Sequence, residues 1–142
     1  MQLKTKLHGM LEFQEKEVIT FPKGLPGFQG LNKFILFKVE ENPIFSILHS
    51  IEDENIGLIV ISPFEVKKDY EFKLDDEVIK QLKIENSEDV LVVNTVNLNS
   101  DISKITVNLK APIVININSG VGEQLILDND VYKIKHPLIE EW

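Results

Sequence analysis

The feature that most constrains the fold of this sequence is a period-two alternation of apolar and polar residues in short stretches rich in isoleucine and valine. This period places the apolar side chains on one face of a β-strand. It predicts strands at residues 2–7, 10–13, 18–21, 34–39, 44–51, 57–62, 90–98, 104–109, 113–117, 124–127 and 131–134. The connectors between them are acidic or contain glycine and proline, which is typical of turns.

Only one stretch has the apolar spacing of a helix. Between residues 75 and 83, Val78, Ile79 and Leu82 fall on one face, and Asp75 or Asp76 can cap the N-terminus of the helix. About ten short strands with one short amphipathic helix predict a mainly β fold, namely a small antiparallel β-barrel-like domain. No repeat, linker or change of composition divides the chain, so residues 1–142 are predicted to form a single domain.

Charge and composition exclude several chemistries. The net charge is −8, there is no cysteine, and all 15 basic residues are lysine. Without cysteine the chain has no disulfide, thiolate metal site or cysteine nucleophile. An acidic balance also disfavours direct binding of nucleic acid. Because no segment has the pattern of a signal peptide or of a membrane-spanning helix, we expect a cytoplasmic protein without membrane contact.

The titratable residues carry no catalytic or metal-binding motif. His8, His49 and His136 lack the spacing of paired metal ligands. The carboxylate clusters stand in connectors, where solvated charge is their ordinary role. Residues 128–130 alternate oxygen donors as a calcium loop does, but the rest of that loop signature is absent. The sequence therefore predicts a protein that is not an enzyme, with no catalytic residue, metal or cofactor.

Two longer strings carry a family resemblance. Residues 19–28 have the sequence ITFPKGLPGF, and residues 108–116 have the sequence NLKAPIVIN. Together with shorter matches along the whole chain, they resemble the signatures of the flagellar assembly factor FliW family. The resemblance implies a small β-barrel-like protein without enzymatic activity.

The resemblance also implies two protein partners. Members of this family bind CsrA, a dimeric RNA-binding translational repressor, and relieve its repression of flagellin mRNA. They bind flagellin in the cytoplasm as well, so the two partners would alternate on a protein that is monomeric when free. Inhibition of CsrA could act by occlusion of its RNA surface or through an adjacent allosteric site, and the resemblance favours the adjacent site.

Acidic and aromatic residues between positions 52 and 72 predict the surface that binds CsrA. An acidic protein is steered towards a basic RNA-binding surface, whereas affinity requires apolar anchors. We therefore hypothesise that part of the binding surface consists of Glu52, Asp53, Glu54, Phe64, Asp69, Tyr70, Glu71 and Phe72. Ordinary core packing is at least as strong an expectation for each of the three aromatic rings.

The two family strings themselves are predicted to be structural. Glycine supplies positive φ and proline fixes a turn, and Phe28 is expected to be buried beside Leu25. In the second string, proline separates two strands and the asparagines hydrogen-bond local backbone. The residues with this predicted role are Gly24, Pro26, Gly27, Phe28, Asn108, Ala111, Pro112 and Asn116.

One alternative function and the role of the chain's last residues stay open. The alternative is a small β-barrel that binds a ligand, or a hydrolase that uses a pair such as His49 with Asp69. A polar pocket with these two groups within hydrogen-bond reach would favour it, whereas a filled barrel interior would favour an interaction protein. The tail that ends at Trp142 packs back on the barrel, frays or contributes to an interface.

Overall fold

The computed structural model describes residues 1–6, 8–28, 30–128 and 130–139, which contain eleven strands and one α-helix. The strands are β1 (Gln2–Thr5), β2 (Gly9–Glu12), β3 (Ile19–Thr20), β4 (Lys33–Lys38), β5 (Phe45–Ser50), β6 (Gly57–Ile61), β7 (Val90–Asn97), β8 (Thr106–Val107), β9 (Ile113–Asn116), β10 (Val121–Gln124) and β11 (His136–Pro137). Helix α1 spans Asp76–Gln81. The predicted mainly β fold with one short helix is confirmed.

Seven of these strands close into a barrel. Antiparallel pairs connect β3 through β4, β5 and β6 to β7, and β7 also pairs with β9, which pairs with β10. The barrel closes where β10 meets β3, through Val121 and Thr20, and these two strands are parallel. The predicted antiparallel β-barrel-like fold is confirmed, and the seam is its one parallel pair among the described strands, because β10 and β3 run in the same direction.

Apolar side chains fill the barrel interior. Phe21 and Phe34 meet edge to face with ring centroids 5.5 Å apart, and both are fully buried. Gly122 makes room for Phe21, because a Cβ atom at Gly122 would lie 2.6 Å from Phe21 Cε1. The interior is completed by Ile19, Leu25, Leu48, Val60, Val93, Ile113 and Ile115.

The remaining strands lie outside the barrel. The β1–β2 hairpin packs Leu3 and Phe13 against Ile35 on the outer face of β4. Strand β8 pairs antiparallel with the last residues of β7, Val96 and Asn97, and β11 pairs with β8. In the described ranges, α1 and the other helical turns are too short to cross a lipid bilayer.

Two strand predictions near the C-terminus are wrong. The strand predicted at 124–127 begins earlier, at Val121, because Gly122 and Glu123 interrupt the apolar pattern of a strand that is nevertheless paired. The strand predicted at 131–134 is a series of turns, and the chain pairs only afterwards, in β11. Strand β8 is also shorter than the predicted 104–109, because a 3₁₀ turn occupies Ile102–Lys104.

Helix α1 lies on the outer face of the barrel over β9. Its residues Val78 and Leu82 pack against Val114. The helix begins after Asp75, one of the two aspartates predicted as its N-cap, but the Asp75 side chain makes no capping hydrogen bond. It ends in a Schellman motif, since the Ile84 N–H donates to the Ile79 carbonyl at 3.0 Å.

Candidate protein-binding site

The acidic turn at residues 52–54 joins β5 to β6, and two of its side chains stabilise the turn. Glu52 Oε1 accepts hydrogen bonds from the N–H groups of Asn32 at 2.7 Å and Lys33 at 2.8 Å. These donors lower the pKa of the Glu52 carboxyl. Asp53 Oδ1 accepts from the Asn55 N–H at 2.9 Å. Glu54 is exposed.

The three predicted aromatic anchors lie in different environments. Tyr70 is 3 % exposed, its hydroxyl donates to the Leu109 carbonyl at 2.7 Å, and burial raises the pKa of its phenol. Its ring centroid lies 4.4 Å from that of Tyr132. Phe72 is half-buried beside Tyr70, whereas Phe64 is 52 % exposed. Tyr70 is therefore a core residue, and Phe64 is the exposed ring.

The acidic turn and the aromatic stretch lie at opposite ends of β6. The turn precedes Gly57, and the stretch begins at Pro63, after Ile61. At about 3.3 Å per strand residue, β6 keeps the two groups roughly 15 Å apart. The structure therefore does not bring residues 52–54 together with residues 64–72, although Asp69 and Glu71 remain exposed beside the aromatic rings.

The aromatic stretch borders a groove of about 710 Å³ next to α1. Phe64 and Phe72 line it from the segment between β6 and α1, Ile79 and Ile84 line it from α1 and the turn after it, and residues 90–92 of β7 complete it. The exposed carboxylates Glu71 and Glu85 also belong to its lining, and no lysine does among the described residues. We call these residues the α1 groove.

Sequence reasoning missed most of the α1 groove. The helix pattern placed Ile79 on the apolar face, but the structure leaves it half-buried at the groove, together with Ile84 and Leu91. The available signal was the apolar face of α1, which continues to Ile84 beyond the last helical turn. That signal alone does not distinguish a core contact from an open surface.

The first family string forms a turn that packs on the core. Gly24 and Gly27 have φ values of 69° and 88°, in keeping with the predicted need for positive φ. The Phe28 N–H donates to the Leu25 carbonyl at 2.9 Å, and the Phe28 ring is half-buried against the barrel core. Pro26 is exposed between them. The positive φ of the two glycines and the packing of Phe28 agree with the predicted structural role of this string.

In the second family string, the side chains of two asparagines form hydrogen bonds with the backbone. Asn108 Oδ1 accepts from the N–H groups of Lys110 and Ala111, both at 3.1 Å, which forms the turn before Pro112 and β9. Asn116, at the end of β9, bonds the local backbone and also reaches the end of α1. Local hydrogen bonds of Asn116 were predicted, whereas its hydrogen bond to the distant Leu82 carbonyl was not.

The structure does not bring together the residues of the alternative hydrolase. His49 is buried in β5, with Nδ1 2.7 Å from the Ser50 carbonyl oxygen and its ring against Gly57. The Asp69 side chain is 82 % exposed and lies 3.5 Å from Lys67 Nζ. Within the described ranges, no three His, Asp or Glu side chains gather as metal ligands. Asn129 of the calcium motif and the tail residue Trp142 lie outside the described residues.

Comparisons with known proteins point to one family. The model of the family described as FliW protein matches residues 2–138. The chain is 59 % identical to the flagellar assembly factor FliW of Clostridium botulinum (strain Okra / Type B1), over 99 % of each protein. It is 61 % identical to that of Clostridium kluyveri (strain NBRC 12016), covering 99 % of the chain and 97 % of that protein. A crystal structure of the flagellar assembly factor FliW matches with a TM-score of 0.92 and 38 % identity, over 99 % of each chain.

Proposed function

The chain belongs to the FliW family of flagellar assembly factors, and on this premise we propose that it is a protein antagonist of the translational regulator CsrA that also binds flagellin. Bound to CsrA, it relieves the repression of flagellin mRNA. Bound to flagellin in the cytoplasm, it leaves CsrA free to repress. The match to the family along nearly the whole chain is the observation that carries this proposal.

The surface charge of the protein supports a partner with a basic surface. The chain has a net charge of −8, and the carboxylates Glu71 and Glu85 stand at the α1 groove beside the exposed ring of Phe64. Charge of this sign accelerates the encounter with a basic protein, and an apolar anchor supplies affinity. Association should therefore slow as salt rises, because the Debye length falls to about 8 Å at physiological ionic strength.

The packed interior of the barrel supports a function that the protein carries out through its outer surface. The rings of Phe21 and Phe34 and the aliphatic side chains around them pack together in the interior of the described barrel. Two grooves open on the described surface next to α1 and the neighbouring turns. A switch between two protein partners needs only such surfaces and no covalent step.

Binding of the purified proteins tests the proposal directly. Isothermal titration should show that the chain binds CsrA and flagellin separately. Flagellin added to the complex with CsrA should release CsrA and restore its binding to flagellin mRNA in a mobility-shift assay. A chain that binds neither protein at low ionic strength would contradict the proposed function.

Charge reversal tests the contribution of the aromatic stretch. We expect the double variant Asp69→Lys, Glu71→Lys to weaken CsrA binding about tenfold, since both carboxylates are exposed beside Phe64. The matched control is Glu15→Lys, Glu17→Lys, which reverses two exposed charges at the same spacing in the 3₁₀ turn between β2 and β3. Equal binding by both variants would remove this stretch from the interface.

Excess RNA distinguishes the two modes of inhibition. We propose that the protein binds beside the RNA surface of CsrA, where its carboxylates repel RNA phosphates. Saturating RNA should then fail to restore the RNA complex of CsrA. Full recovery at high RNA concentration would instead establish occlusion of the RNA surface.

A further inference from the structure

The barrel wall has a gap between β6 and the first half of β7. Strand β7 pairs with β6 only through Asn94 and Thr95, whereas residues 90–93 pair with β9 on the other edge. If the pairing of β6 with β7 continued beyond Ile61 and Asn94 in the same register, Pro63 would lie opposite Val92. Proline has no N–H to donate to a ladder, and the chain turns away there into a 3₁₀ turn, Pro63–Glu65. The β7 edge beside Val92 is therefore left without a neighbouring strand.

Backbone polar groups of β7 are directed into this gap. Residues of an antiparallel strand alternate between the two neighbouring edges. The Ile117 N–H donates to the Asp89 carbonyl at 2.9 Å, so odd-numbered residues face β9, and Val90 and Val92 face the gap. The Val90 N–H already donates to the Ser87 carbonyl. Among the described residues, the Val90 carbonyl and both backbone groups of Val92 have no partner across this edge.

The side chains around the gap add apolar walls and negative charge. Residues 90–92 line the α1 groove together with Phe64, Phe72 and Ile79, so the unpaired edge lies inside an apolar cleft. Glu71 and Glu85 are the charged side chains of that lining. An unpaired strand edge can form hydrogen bonds with the backbone of an extended segment. The apolar walls favour apolar side chains in that segment, and the carboxylates favour cationic ones.

We propose that this gap takes an extended segment of a partner protein as an added β-strand along Val90 and Val92. Every second side chain of the segment is apolar and enters the α1 groove, and the lysine or arginine residues between them give the segment the positive charge that the exposed Glu71 and Glu85 and the net charge of −8 attract. Main-chain hydrogen bonds supply affinity in this mode, and the alternate side chains supply specificity. The inference deepens the proposed function and rests on it in taking the occupant to be a partner protein.

Amide exchange of the full chain with a synthetic peptide tests the strand directly. The probe is a blocked seven-residue peptide in which lysine and valine alternate. We expect saturating peptide to slow hydrogen exchange of the Val92 N–H at least about tenfold, because that group becomes hydrogen-bonded. Unchanged exchange at Val92 under saturation would overturn the proposal.

Methylated peptides separate strand addition from charge attraction. Two further probes carry backbone N-methyl groups on all valines or on all lysines, which removes donors without changing side-chain charge. A strand uses the donors of one set only, so one of the two probes should lose binding at least about tenfold and the other should retain it. Equal binding of all three peptides would overturn the proposal.

Two exposed apolar positions provide matched variants. Phe64→Ser should weaken peptide binding about tenfold, because it removes a groove wall, whereas Met10→Ser on β2 should leave it unchanged. An equal effect of the two substitutions would overturn the assignment. These measurements use neither CsrA nor flagellin. A negative result with the peptides would therefore contradict strand addition without contradicting the proposed function. Conversely, if the chain bound neither CsrA nor flagellin, the peptide results could still be interpreted.

Discussion

The side-chain amide of Asn116 donates a hydrogen bond of 2.8 Å to the carbonyl oxygen of Leu82, which ties the end of α1 to β9. The same Nδ2 atom lies 3.1 Å from the Lys83 carbonyl oxygen, and Oδ1 accepts from the Asn118 N–H at 2.9 Å. Carbonyl groups at a helix C-terminus lack partners within the helix. One buried side chain therefore positions the element that forms a wall of the α1 groove.

Replacement of this asparagine should destabilise the protein strongly. We expect Asn116→Ala to lower the free energy of unfolding by about 2–4 kcal/mol, because several hydrogen bonds are lost around a buried position. Urea denaturation measures the change. The control Asn118→Ala alters an exposed neighbour and should stay within about 0.5 kcal/mol. Equal stability of the two variants would contradict the role of Asn116.

Glycine at the residue after α1 should stabilise the protein. Lys83 has a φ of 56°, a conformation that glycine adopts without the cost a Cβ atom imposes. We expect Lys83→Gly to raise the free energy of unfolding by about 1 kcal/mol. The same substitution at Lys80, inside the helix, should lower it by about 1 kcal/mol. Denaturation curves that shift in the same direction for both variants would contradict the argument.

Two aromatic residues close in sequence should respond differently to mutation. Tyr70→Phe should lower the free energy of unfolding by about 1–2 kcal/mol, because the buried Leu109 carbonyl loses its hydroxyl donor. Phe64→Ser should change it by less than about 0.5 kcal/mol, since that ring is exposed. Thermal and urea unfolding of the two variants check this, and a greater loss for Phe64→Ser would be inconsistent with the structure.

The Glu52 carboxylate should make part of the stability depend on pH. Two backbone N–H groups bond its ionised form and lower its pKa below 4.5. Its contribution is complete above the pKa of the unfolded chain and is lost as pH falls through the lower pKa of the folded protein. The difference in unfolding free energy between wild type and Glu52→Gln should therefore be constant at neutral pH and shrink below pH 4.5.

Urea titrations at a series of pH values test this dependence. Glu54→Gln removes a carboxylate from the same turn without removing the two backbone bonds, and it serves as the control. A difference for Glu52→Gln that grows towards acid would show that the sign of the argument is wrong.

Local patterns in the sequence determined most of the barrel. Short runs rich in apolar residues were sufficient for β4 to β7, because one face of each strand packs in the interior. They were insufficient for β10, where Gly122 replaces an apolar residue to accommodate the ring of Phe21. That requirement comes from a residue far away in the sequence, and strand periodicity does not contain it.

The candidate site was predictable only in part. Phe64 and Glu71 were selected because aromatic and acidic residues alternate near them, and both lie at the α1 groove. Tyr70 has the same local pattern, but its burial depends on the distant Leu109 and Tyr132. The separation of residues 52–54 from this stretch depends on the direction of β6, which composition does not indicate.

The parallel seam between β3 and β10 has a consequence for synthesis on the ribosome. Thr20 is synthesised 101 residues before its partner Val121. Until then the nascent chain is an open sheet with β3 and β9 as exposed edges, which are templates for aggregation. A product truncated before residue 121 would keep both edges, so we expect it to be captured by chaperones or degraded rather than to accumulate.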